Sequence, residues 1–492
     1  MAISESDKSL RTRVRLALFA ERHGARSSLR SLTFERWTAG YGAPLRVAGE
    51  TWRWAIWPLF LLGFAVLGAG LLIGPRVPAA DAGAACVGNV ELSPPFGFSL
   101  NCDSPEFMWL ARDPAGLLYH RNSRQSRPGL ILAAALIQAP LSLIAPPDGP
   151  PTPVYQGLYD PVAVARSFTQ DRPAYIAYIL LNIAILLASF HVLRQVIERQ
   201  RSARNATAAI IVVATGLLLV ANDVTKAFVW SPHTQMFNIL VPVIAVYATL
   251  RSADGAFCER SFALALGALV GLGMTAYAVF AVIAACAVPP ALVLLLREKS
   301  AAVRRRSLVN IGLFLALAAI PSALWYEYVE LTTGQFFNAE LDLRQVIWMK
   351  DELDKGVGMF LARWFGYLGE LIAFAAPQAI AVVVFVAWLA VTVFVQLGRR
   401  RWQPASLSPA LPAIAAGLYV SAAVLGFYTC VGWVTDRLAY PMIPPLVAAA
   451  GAAALVIAQR LPPRRRPVFA AGCLAIAIAQ MIYVVIKDGP YS

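Results

Sequence analysis

Residues 129–145 read Gly129-Leu130-Ile131-Leu132-Ala133-Ala134-Ala135-Leu136-Ile137-Gln138-Ala139-Pro140-Leu141-Ser142-Leu143-Ile144-Ala145. The run is apolar but short, and Pro128, Pro140 and Pro146 bracket or interrupt it. A helix needs about 20 apolar residues to cross the roughly 30 Å of hydrocarbon in a bilayer. Whether this run crosses decides the sidedness of everything after it, and the basic residues supply the answer. Four later loops are strongly basic. They hold Arg194, Arg199, Arg201 and Arg204; Arg297, Lys299, Arg304, Arg305 and Arg306; Arg399, Arg400 and Arg401; and Arg460, Arg464, Arg465 and Arg466. Cytoplasmic loops of membrane proteins carry an excess of Lys and Arg. If 129–145 does not cross, all four loops join the basic N-terminus on the cytoplasmic side. If it crosses, all four flip outside. The run is therefore read as a helix lying at the outer interface.

The rest of the chain is suited to a bilayer. Of 492 residues, 58% are hydrophobic and 14% charged, with a mean hydropathy of +0.61. A soluble globular protein carries about 25% charged residues. Disordered, collagen-like and small secreted classes are excluded on the same numbers. Candidate spans are 54–73, 174–193, 206–222, 235–250, 261–276, 278–297, 308–325, 373–397, 410–432, 440–458 and 467–486. The run 261–297 is too long for one span and is split near Tyr277. The predicted fold is an all-α polytopic membrane protein of about 11 (10–13) transmembrane helices. Two large outward-facing loops, 74–173 and 326–372, would contain interfacial helices.

Residues 1–53 are polar and Arg-rich and lack the short apolar core of a cleaved signal. They are expected to be a basic cytoplasmic segment, either a solvated tail or a helix on the inner face; residues 54–492 form the multi-span domain. The net charge of +14, from 42 Lys+Arg against 28 Asp+Glu, sits in short clusters between apolar runs. That pattern points to membrane lipids as partners and away from nucleic acid. Protein partners are left open.

The first outer loop carries Asn101-Cys102-Asp103-Ser104-Pro105-Glu106-Phe107-Met108-Trp109-Leu110-Ala111-Arg112-Asp113. Asp103 and Glu106 are three apart and share a helix face. Such a pair can serve as a general base with its helper or hold a divalent ion. It can equally be a solvated helix start, with Ser104-Pro105 as cap and first turn. Tyr119-His120-Arg121-Asn122-Ser123-Arg124-Gln125-Ser126-Arg127-Pro128 follows, with three arginines on the side where they are usually scarce. Arginine forks suit phosphate oxygens, or they snorkel to headgroups. Arg437 and Tyr440 open a late span whose first turns hold Pro441, Pro444 and Pro445, and there they can reach an anionic headgroup or simply anchor the helix. Glu340, Asp342 and Arg344 lie in the second outer loop, a lid-like amphipathic stretch with Trp348. Asp223, Lys226, Trp230 and His233 make a smaller outer polar cluster.

Cys258, Cys286, Cys430 and Cys473 lie in or beside spans. Cys86 and Cys102 share the first outer loop and would pair as a disulfide if that loop faces an oxidising compartment. No Walker loop, dinucleotide fingerprint, HExxH or GxSxG occurs. The predicted spans hold almost no ionisable residue at mid-depth, where ion-coupled transporters keep them.

In order, these features resemble the GT-C superfamily of membrane glycosyltransferases, of the protein O-mannosyltransferase and lipid A aminoarabinose transferase type. Asp103 to Arg112 is similar to that family's acidic motif after the first span. Arg127-Pro128-Gly129-Leu130 with 131–145 is similar to its proline-containing interfacial segment. Asp160 to Arg166, leading to a span ending in Arg194, and the Arg437 to Leu446 lip are similar too. The chain departs from the pattern in separating Asp103 from Glu106, where many relatives have adjacent acids, and in lacking the large soluble C-terminal domain of some. The resemblance implies transfer of a sugar from a polyprenyl-phosphate donor to a lipid, glycan or protein acceptor. Transfer would occur at the outer, periplasmic face of a bacterial inner membrane, with the N-terminus cytoplasmic. Asp103 would be the general base or acceptor-orienting acid, with Glu106 as helper. Arg124, Arg127 and Arg437, with Tyr440 beside them, would hold the donor phosphate. No cofactor is assigned beyond the polyprenyl-phosphate-linked sugar donor, and a divalent metal stays open. The rival readings are a lipid or polysaccharide transporter or flippase, and a non-catalytic membrane scaffold.

Overall fold

A computed structural model describes residues 50–119, 122–149, 160–199, 205–397 and 404–489. The basic segment up to residue 49 lies outside the described residues, as do His120, Arg121, Arg201, Arg204, Arg399, Arg400 and Arg401. The helices are α1 Glu50–Ile73, α2 Ser104–Arg112, α3 Pro128–Ile144, α4 Pro161–Gln170, α5 Arg172–Glu198, α6 Ala206–Val220, α7 Asp223–Phe228 and α8 Phe237–Ala253. They continue with α9 Arg260–Ala276, α10 Ala281–Arg297, α11 Ala301–Thr333, α12 Ala339–Asp342, α13 Ile347–Lys355 and α14 Val357–Leu397. The last four are α15 Leu411–Val431, α16 Asp436–Ala439, α17 Ile443–Arg460 and α18 Arg466–Ile486. Among the described residues, nine helical segments are long and apolar enough to cross a membrane, and Pro128–Ile144, Ala206–Val220 and Arg260–Met274 are shorter apolar helices. The chain is a polytopic, predominantly helical membrane protein.

The centre of the bundle is α8 with α17. In each, 83% of the spanning window is buried inside the protein, against 17% for α14. Small residues make this possible, because helices in lipid associate by close packing rather than by hydrophobic exclusion. Helix α17 carries Ala448, Ala449, Ala450, Gly451, Ala452, Ala453 and Ala454 in succession. A Cβ at Gly417 of α15 would stand 2.7 Å from the Pro445 carbonyl oxygen, so these two backbones touch only because position 417 has no side chain. The long apolar run breaks at Tyr277, which is extended between α9 and a short 3₁₀ turn over Ala278–Phe280.

Two features differ from the sequence expectation. The segment 74–173 is not purely helical. An antiparallel hairpin pairs β1 (Val87–Ser93) with β2 (Phe96–Asn101), in register from Val87↔Asn101 to Val90↔Phe98. Cys86 and Cys102 are bridged at its base with Cα atoms 5.3 Å apart. The segment 326–372 is helical at both ends. Helix α11 runs on to Thr333 and α14 starts at Val357. At 33 and 41 residues, these helices are about 50 and 60 Å long, well beyond the roughly 30 Å of hydrocarbon. Hydropathy marks only the part in lipid, whereas the helical backbone continues wherever polar side chains can reach water.

Candidate functional site

The hairpin ends at Asn101, and the bridged Cys102 is followed directly by Asp103, the residue before α2. Asp103 occupies the N-cap position with Pro105 in the first turn, but its side chain makes no cap hydrogen bond. A capping Asp contributes about 1 kcal/mol to a helix. Here the carboxylate turns to other partners. Its Oδ1 lies 2.9 Å from Arg124 Nη2 in an ion pair, and its Oδ2 lies 3.2 Å from His233 Nε2. One turn on, Glu106 Oε2 accepts from Arg124 Nε at 2.9 Å, and Oε1 accepts from the Ser123 hydroxyl. The two acids do share a face, and Arg124 fills the space between them, with its guanidinium also stacked 4.7 Å over the Phe107 ring. The place where a divalent ion would sit is taken by a guanidinium. Among the described residues, no three His, Cys, Asp or Glu side chains are grouped as metal ligands.

The two acids are not equivalent. The Glu106 side chain is 6% exposed and both its oxygens are engaged, so its part is to hold Arg124. The Asp103 side chain is 20% exposed. Burial pushes its carboxyl up, but Arg124, the His233 hydrogen bond and Arg437 outweigh burial and hold it well below the usual carboxylate range.

The remaining predicted phosphate ligands divide. Arg127 pairs with Glu340, which also accepts from the Ser126 hydroxyl at 3.0 Å. Burial and the neighbouring Arg124 pull Arg127 down to about 10, which leaves it charged at neutral pH. Arg437, on α16, makes no ion pair among the described residues; its guanidinium lies 6.0 Å from the Phe228 ring centroid. It lines a narrow crevice with Asp223, Phe228, Gln378 and Asp436. Its charge bears weakly on both Asp103 and His233. Tyr440 does not join the cluster. It is buried, with its hydroxyl donating to the Leu219 carbonyl at the end of α6 at 3.0 Å. Its large apolar ring is drawn into the bundle instead of standing at the lip. Of the second-loop residues, only Glu340 reaches the site; Arg344 pairs with Asp351 at the surface, and Asp342 is exposed.

The Asp223, Lys226 and His233 cluster separates. Asp223 pairs with Lys487 at 2.8 Å, and Lys226 donates to the Lys487 carbonyl. His233 instead faces Asp103 across 130 positions of sequence. Its part in the site was not foreseen, and the only local signal was a lone histidine beside a tryptophan and two charges. Ser123 was likewise not foreseen.

No protein-family model, curated protein or solved structure matches the chain.

Proposed function

We propose that the chain is a membrane glycosyltransferase that moves a sugar from a polyprenyl-phosphate donor to a hydroxyl acceptor at the outer face. One observation carries the reading. An ionised, partly exposed Asp103 is held in a buried frame of Arg124, Glu106 and His233, and Arg437, which has no ion pair among the described residues, adds its charge from the far end of the sequence. Sugar transfer needs an acid to receive an acceptor hydroxyl and a cation to receive a departing phosphate. In the step, the bond from the sugar's anomeric carbon to the phosphate oxygen breaks, and its electron pair leaves with the lipid phosphate. The acceptor oxygen bonds to the anomeric carbon, and its proton passes toward Asp103.

The low affinity of Asp103 for protons makes it a weak base in the empty site. Its first role is therefore to orient the hydroxyl and balance positive charge on the sugar. Once Arg437 turns to the donor phosphate, Asp103 loses part of one cation's field and its proton affinity rises as the proton arrives. Glu106 and Arg124 act as the frame.

The reading extends to topology. Eleven crossings follow if the nine long helices are joined by α6 and α9, while α3 lies at the outer interface. The four basic loops then face the cytoplasm, as does the N-terminus, in a bacterial inner membrane. The acceptor and the sugar are unspecified, and Arg127 with Glu340 closes the site on the side of the second loop.

The test is transfer of radiolabelled sugar from polyprenyl-phosphate in membranes that hold each variant at matched protein level. Asp103→Asn should lower the rate by about 10²–10⁴-fold. Arg437→Ala should raise the donor KM. Unimpaired transfer by Asp103→Asn would refute the role of the acid. No transfer by the unmutated chain with any donor would return the transporter reading to first place.

A further inference from the structure

The His233 ring is 3% exposed and lies against two aromatic rings, Phe107 at 5.5 Å and Phe228 at 4.8 Å between centroids. The loop that carries it is fastened on several sides. Asn182 Nδ2 donates to the carbonyls of Phe228 at 2.9 Å and Ser231 at 3.0 Å. The Tyr175 hydroxyl donates to the Trp230 carbonyl at 3.1 Å. Ser231 Oγ accepts from the Asn101 N–H at 2.9 Å and lies 2.8 Å from the Ser104 hydroxyl. Asn101 and Ser104 flank Cys102 and Asp103 in the chain. The segment that presents Asp103 is thus tied directly to the loop that presents His233, which sets the distance between the two.

An ionised carboxylate only accepts hydrogen bonds. The 3.2 Å contact therefore requires a proton on Nε2. Burial, resisted by Asp103, pulls His233 down to about 4, so the imidazole is neutral and its Nδ1 carries no proton. That Nδ1 is buried with no hydrogen-bond partner among the described residues. A bare buried acceptor costs stability. A phenylalanine would fill the same slot between Phe107 and Phe228 without that cost. Packing alone does not account for an imidazole here, whereas a need for the Nε2–H does.

We propose that His233 is a positioning residue for Asp103: its Nε2–H holds Oδ2 while Arg124 holds Oδ1, which fixes the plane of the carboxylate and its exposed edge for an incoming hydroxyl. The hydroxyl belongs to the glycosyltransferase reading, on which this inference rests; the hydrogen bond does not depend on it. The charged groups facing the pair are Arg124 on the loop after α2, Arg437 on α16, and Glu106 of α2 across Arg124.

The test uses the full chain with ¹⁵N-labelled histidine in detergent micelles. The chain has four histidines, so His233→Gln identifies the resonances of His233. The expected pattern is a proton on Nε2 and none on Nδ1 from about pH 8 to about pH 5, where an unperturbed histidine would already be charged. Asp103→Asn should move the Nε2–H resonance. A protonated Nδ1 at neutral pH, or a resonance indifferent to Asp103→Asn, would overturn the proposal whether or not any sugar is transferred.

In the transfer assay, His233→Phe should lower kcat by about 10²-fold with little change in donor KM, and His233→Gln, which can still donate, should recover part of it. A wild-type kcat in His233→Phe would also overturn the proposal. A chain with the expected nitrogen pattern but no transfer with any donor would support the hydrogen bond and refute the glycosyltransferase reading instead.

Discussion

Arg127 and Glu340, 213 positions apart, join the segment after α2 to the one after α11 in one ion pair. The contact does not stand alone. Gln125 Oε1 accepts from the Phe337 N–H at 2.6 Å, and the Trp325 indole donates to the Gln125 carbonyl at 2.7 Å. The segment between α11 and α12 is therefore sewn to the residues that follow α2.

Glu340→Gln should loosen that seam. Both side chains are partly exposed, at 20% and 26%, so the loss is expected to be on the order of 1 kcal/mol, or about fivefold in local opening. Amide exchange measured by mass spectrometry should rise across 335–342 and stay unchanged in α2. Unaltered exchange would mean that the ion pair does not tether the loop.

Arg124 is the shared counter-ion of two carboxylates, one of them almost fully buried. Arg124→Ala should be strongly destabilising, by about 3–5 kcal/mol, because it leaves buried charge without a partner. Thermal unfolding in detergent should show a much larger fall for Arg124→Ala than for Arg437→Ala. Adding Asp103→Asn and Glu106→Gln to Arg124→Met should recover much of the loss, since removing a whole buried ion cluster costs less than breaking it. Simple additivity of the three changes would contradict the clamp.

His233 should give stability a pH dependence of defined sign. Its folded pKa, at about 4, lies below that of an unfolded histidine at about 6.5. Between those values the unfolded chain binds more protons, so stability is lost as pH falls from about 6.5 to about 4, by at most about 3 kcal/mol. Asp103 acts in the same direction at lower pH: its depressed folded pKa contributes stability above the unfolded value near 3.9, which is lost only as pH falls further. Melting temperature measured from pH 7.5 to 4.5 should therefore decline less in His233→Phe than in the parent chain. Parallel curves for the two would rule out a buried neutral histidine.

The eleven-crossing topology predicts opposite sides for Thr169, just before α5, and Glu298, just after α10. Single cysteines placed at these two positions in a background free of other reactive thiols should label from opposite faces, with position 169 outside. Labelling of both from one face would mean that α6 or α9 has been assigned wrongly, and opposite faces with position 169 inside would mean that α3 crosses.

Much of the bundle was legible because hydropathy and proline placement are local properties; the break at Tyr277 is an example. The hairpin was not, since Val87–Ser93 and Phe96–Asn101 are short and their alternation is interrupted by glycines. The end of α11 was missed because its polar turns, 326–333, look like loop, and the start of α14 because glycines and the charges of Arg363 and Glu370 interrupt its apolar run. In the site, Asp103, Glu106 and Arg124 lie within 21 positions of one another and were picked out by spacing and charge. His233 and Glu340 reach the same cluster only through the packing of distant helices, and nothing in their neighbours announces it. Tyr440 shows the converse: a position at a predicted lip whose ring the bundle takes in.

The bond between Cys86 and Cys102 ends one residue before Asp103. Asp103 thus hangs on a strap that a thiol-rich environment would not let close. A newly made chain still among reducing agents would hold the same side chains, but with the stem of Asp103 untethered on one side. Closing of the bridge would fasten that stem.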